Sequence, residues 1–169
     1  MPTIRLSTVE TAPPMPVVAP TGRLLVPRLQ FRCLVRLPNS FLPRDGIIDT
    51  GSPLTWFPEA VWGKLRPGID FEELPFEPGY VPPRGQTAGW MFTFRMVRML
   101  QPVVLFDLAT SAELSRDGIT VQFVDGNPPL PANRPARIVI GLWGGVLEGT
   151  SLRTATDHAT GHARGELDW

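Results

Sequence analysis

The 169-residue chain has a single cysteine, two histidines, one tyrosine and no net charge, with 16 Lys and Arg against 16 Asp and Glu. One cysteine, Cys33, excludes an intrachain disulfide. Its setting, Phe31-Arg32-Cys33-Leu34-Val35, is that of a buried, inert thiol. The balanced charge leaves no electrostatic footprint for nucleic acid or an anionic membrane, so neither is expected as a partner. No apolar run approaches the ~18 residues that a membrane-spanning helix needs. The N-terminus lacks a basic start followed by an apolar stretch, so no secretory signal is expected and the default location is cytoplasmic.

Proline is abundant instead, with 20 Pro and 16 Gly along the chain. Proline lacks an N–H and breaks helix interiors, which disfavours long helices and favours short strands between turns. With 43% hydrophobic residues, one real core is within reach. The fold class expected is therefore all-β. Residues 1–22 carry Pro2, Pro13, Pro14, Pro16 and Pro20 and read as an extended Pro-rich arm, with a single domain over 23–169.

Period-two alternation marks 28–37 as a half-buried strand. Leu29, Phe31, Cys33, Val35 and Leu37 share one face; Arg28, Gln30, Arg32 and Arg36 share the other, with Leu34 as the single apolar exception. Strands are also expected at 90–100, 103–106 and 119–124, and a last one at 165–169. The β-branched run Ile138-Val139-Ile140 suits a central strand buried on both faces. Short helices are expected at 58–65 and within 142–156. Glu72-Glu73 reads as a solvated charged loop. His158 and His162 are four apart, but Gly161 weakens a helix there and no third ligand is fixed, so no metal site is expected.

The sharpest chemical feature is Ile47-Ile48-Asp49-Thr50-Gly51-Ser52. An acid at the end of a buried strand is costly unless it is paired or working. Gly51 permits a tight turn behind it. Thr50 can brace the loop and Ser52 can orient the carboxylate. The plain structural alternative is that Asp49 caps a turn completed by Thr50-Gly51.

Asp49-Thr50-Gly51-Ser52 after two apolar residues resembles the catalytic loop of the aspartic proteases. Ile138-Val139-Ile140-Gly141 resembles the apolar-apolar-Gly signature that packs behind that loop in single-domain, retropepsin-like members. It lies about 90 residues downstream, a gap that loop insertions accommodate. Gly85-Gln86-Thr87-Ala88-Gly89-Trp90, followed by an alternating strand, looks like the flap hairpin. The resemblance covers roughly residues 24–141.

It implies a closed or partly closed β-barrel of the retropepsin type with one or two short helices. It also implies an aspartic endopeptidase that cuts extended polypeptide with no cofactor. Asp49, Thr50 and Gly51 would form the catalytic loop, and Ser52, Gly85, Gly89 and Trp90 would contact substrate. Leu54, Trp56, Phe57, Met91 and Phe92 are candidates for apolar subsites, each also readable as core. The mechanism needs two carboxylates, and no other Asp is followed by Thr-Gly or Ser-Gly. A symmetric homodimer would supply the second from another copy of Asp49. Residues 165–169, an unpaired edge in a monomer, would pair across such a dimer. Trp143-Gly144-Gly145 departs from the family's pattern, which continues there into a helix. The competing reading is a catalytically silent retropepsin-like module that dimerises or binds peptide.

Overall fold

Alternation around Cys33 builds the sheet's middle in this computed structural model, which describes residues 2–8, 15–19, 22–26, 30–76, 84–87, 90–125, 136–156 and 163–169. In chain order the strands begin with β1 (Thr3–Thr8), β2 (Met15–Ala19), β3 (Gly22–Val26), β4 (Gln30–Arg36), β5 (Arg44–Asp49) and β6 (Trp56–Pro58). One short helix, α1 (Glu59–Trp62), follows. Then come β7 (Phe71–Glu73), β8 (Arg84–Thr87), β9 (Trp90–Met99), β10 (Val103–Phe106), β11 (Glu113–Arg116) and β12 (Thr120–Val124). The last are β13 (Ile138–Ile140), β14 (Ser151–Thr156) and β15 (Ala163–Asp168). The fold is all-β, as its composition predicts.

Phe31, Cys33 and Val35 are buried along β4, as is Leu37 just beyond it, while Arg32 on the opposite face is exposed; Leu29 lies outside the described residues. The main sheet is mixed and follows the order β14-β15-β1-β4-β5-β13-β6-β12-β9-β7, with β10 joined to β4, β11 joined to β10 and β8 joined to β9. This path is open, and no closed barrel is formed among the described residues.

The inner face is fastened by an aromatic cluster. Phe123 of β12 stacks on Phe57 at 5.9 Å and on Trp62 at 5.4 Å, and meets Phe71 edge-on at 4.7 Å between ring centroids. The Trp62 indole N–H donates to the Val124 carbonyl at 2.8 Å, satisfying the one polar atom that its packing would otherwise strand. These contacts bind β6, α1 and β7 to β12. Glu72 and Glu73 stay on the surface and pair with Arg98 and Arg95. Cys33 is buried, as expected, and burial, with the Asp45 charge adding to it, pushes its thiol up to about 12.

The termini differ from the sequence reading. Residues 3–8, expected in the arm, form β1, which pairs with β15 from Thr3↔Asp168 to Ser7↔Arg164 and reaches β4 at Ser7↔Arg32. The boundary between residues 22 and 23 falls inside the β2–β3 hairpin. Local prolines mask this because Ile4 and Leu6, both buried, carry the strand between them. The last strand is not an edge either: β15 lies between β1 and β14, with Leu167 fully buried. The edge is β14. The helix expected within 142–156 is absent, because Gly144 and Gly145 adopt φ of 101° and 95°, outside any right-handed helix.

Asp107 ties the N-terminal strand to the loop after β10. It accepts hydrogen bonds from the backbone N–H of Arg5 at 3.0 Å and of Ala109 at 2.8 Å. Burial alone would raise its carboxyl, but these donors and Thr110 together hold it below the usual carboxylate range. A depressed folded value contributes stability above the unfolded value of about 3.9, lost as pH falls through the folded one. Asp107→Asn is expected to lower the melting temperature at pH 7 by about 3 °C, with the difference shrinking toward zero in strong acid. Thermal melts of both proteins across pH check this; an undiminished gap at pH 2 would contradict it.

Because β15 is internal, removing residues 165–169 is expected to strip hydrogen-exchange protection from β1 and β14 at every protein concentration. Protection lost only on dilution would instead assign those residues to a subunit interface.

Candidate active site

Two strands and one turn set the position of Asp49. Ile47 and Ile48 drive β5 into the core, and β5 ends at Asp49, itself fully buried. The chain then reverses: the Ser52 N–H donates to the Asp49 carbonyl at 3.0 Å. Gly51 donates its N–H to Asp49 Oδ1 at 2.9 Å, and Gln30 Nε2 donates to Oδ2 at 2.7 Å. Each carboxylate oxygen of Asp49 thus accepts a hydrogen bond, which offsets part of the cost of burying it. The Ser52 hydroxyl turns away from the carboxylate and donates to the Leu54 carbonyl at 2.8 Å, bracing the turn rather than the acid.

The Ile138-Val139-Ile140-Gly141 segment packs directly behind this turn. Strand β13 runs parallel to β5, with Ile140 opposite Ile48, and meets β6 on its other side at Val139↔Trp56. All three of its residues are buried, as a strand covered on both faces requires. The segment after it clasps the turn: Leu142 N–H donates to Ser52 O at 3.1 Å, and Trp143 N–H to Pro53 O at 2.8 Å. Gly141 donates its N–H to the Thr55 hydroxyl at 3.2 Å. A Cβ on Gly141 would stand 2.7 Å from the Leu54 nitrogen, with that residue's C and O closer still. The close approach of two backbones is what this glycine permits.

The flap-like segment forms a hairpin. Strand β8 pairs antiparallel with β9, Gly85 opposite Phe92 and Thr87 opposite Trp90. Gly89 lies outside the described residues, as do His158 and His162. Beyond the hairpin, β9 joins the main sheet through β12 from Arg98↔Thr120 to Phe94↔Val124. Of the apolar subsite candidates, Phe57 is fully buried core, while Leu54 and Trp56 are half-buried. No cluster of three His, Cys, Asp or Glu suited to a metal occurs among the described residues.

The structure thus brings Asp49, Thr50, Gly51 and Ser52 into one turn against Gly141. Two site residues escaped the sequence reading. Gln30 sits among the arginines of the row that the alternation assigns to solvent, and the register Gln30↔Asp49 brings it to the carboxylate. Thr55 carries no pattern at all; its burial and its contact with Gly141 appear only in three dimensions. Comparison with known proteins finds no matching family model, curated protein or solved structure.

Gly141→Ala is expected to destabilise the chain by about 3 kcal/mol or more, since the added methyl meets backbone rather than a flexible side chain. Gly149→Ala, where a Cβ meets nothing within 4 Å but φ is +69°, is expected to cost only about 1 kcal/mol. Urea unfolding of both variants checks the order.

Proposed function

We propose that the chain is an aspartic endopeptidase of the retropepsin-like type, acting as a homodimer on extended polypeptide. The observation that carries this reading is the Asp49 turn locked against Ile138-Val139-Ile140-Gly141, two segments far apart in sequence whose motifs both resemble that family's catalytic floor. In this reading the β8–β9 hairpin serves as the flap.

Each subunit contributes one Asp49. Two carboxylates a few ångströms apart do not both ionise readily, so they share one proton and titrate as a pair. The ionised member takes a proton from water, which attacks the scissile carbonyl. The protonated member donates a hydrogen bond to the carbonyl oxygen and stabilises the tetrahedral intermediate. Thr50 and Gly51 hold the turn. Substrate pairs through its backbone with flap and floor as an added strand, near Ser52, Gly85, Gly89 and Trp90.

A second reading has its own support. Asp49 is fully buried within the single chain, which suits a carboxylate that only caps its turn in a silent peptide-binding or dimerisation module. A peptide-library digest of the wild type beside Asp49→Asn separates the two. Catalysis by Asp49 predicts wild-type cleavage that rises and falls with pH as a bell and drops at least ~1,000-fold in the variant, with the fold retained. A folded wild type that cuts nothing, or a variant that cuts equally well, would contradict it.

A further inference from the structure

We propose that Gln30 is a positioning residue for the Asp49 carboxylate, an assignment that rests on the peptidase reading above. Gln30 opens β4, is half-buried, and lies directly opposite Asp49 in the antiparallel register of β4 and β5. Its Nε2 donates to Asp49 Oδ2 at 2.7 Å, while the Gly51 N–H holds Oδ1 at 2.9 Å. The two donors do different jobs. Gly51 belongs to the same turn as Asp49 and moves with it. A carboxylate held at Oδ1 alone still pivots about its Cβ–Cγ bond. Gln30 belongs to a neighbouring strand whose Phe31, Cys33 and Val35 are anchored in the core. Its contact ties the plane of the carboxylate to the sheet.

The residue type matters. A carboxamide N–H donates at Oδ2 and carries no charge, so it orients the carboxylate without a competing ion pair. A carboxylate oxygen has more than one acceptor direction, so a donor on each still leaves room for a shared proton and a water. In a symmetric pair both copies of Gln30 impose the same orientation on both carboxylates. Reactions that depend on such alignment lose rate steeply when it loosens.

The test is Gln30→Met, which keeps the length of the side chain and removes the donor, with Gln30→Leu as a second donorless variant should the Met variant fail to fold. Positioning predicts a kcat lower by about 10- to 100-fold with KM changed by less than about twofold. It also predicts that the Gln30 side-chain amide resonance in a ¹⁵N spectrum of the wild type moves on Asp49→Asn, whereas that of Gln122, which serves as a control, stays in place. Wild-type kcat in a folded Gln30 variant, or an amide resonance indifferent to Asp49, would overturn the assignment. Absence of peptidase activity in the wild type would instead overturn the enzymatic reading. The amide resonance would still report whether Gln30 holds the carboxylate.

Discussion

The approach of Gly141 to the backbone of Leu54 is the contact on which the rest of the arrangement depends. Strand β13 can lie between β5 and β6 only if the chain leaving it passes within van der Waals reach of the turn that joins them. A side chain at residue 141 would forbid that passage. Once it is made, three elements lock together. The parallel pairing of β13 with β5 fixes the end of β5 and therefore Asp49. The hydrogen bonds from Leu142 and Trp143 fix the turn after it. The aromatic cluster on Phe123 then holds the outgoing strand β6 against β12.

Much of this was legible from local pattern. Alternation marked β4, and length with β-branching marked β13 as a central strand. The span 58–65 contained α1, and 103–106 matched β10 residue for residue. Such features depend on side chains a few positions apart. What the pattern did not reveal depends on distant partners. Thr3–Thr8 looks like part of a proline-rich arm until β15 is placed beside it. The terminal strand looks like an edge until β14 is counted. Gln30 looks like a surface residue until Asp49 is found across the ladder. The helix expected after Gly141 fails for a local reason: Gly144 and Gly145 take positive φ, which no helix can run through, and the chain enters strand β14 at Ser151.

Burial of Asp49 is the point at which structure and proposed chemistry bear on each other most directly. An acid in a core is expensive unless donors compensate it, and here Gly51 and Gln30 do so. Compensation of this kind serves a turn cap and a catalytic carboxylate alike. What distinguishes them is a second carboxylate. The sequence contains only one Asp-Thr-Gly, so the catalytic reading requires two chains and the capping reading requires one.

That requirement is tested most directly by following specific activity and sedimentation through a single dilution series. If catalysis draws one Asp49 from each of two subunits, specific activity falls in step with the dimer fraction and vanishes with it. Full activity from a species that sediments as a monomer would contradict the account.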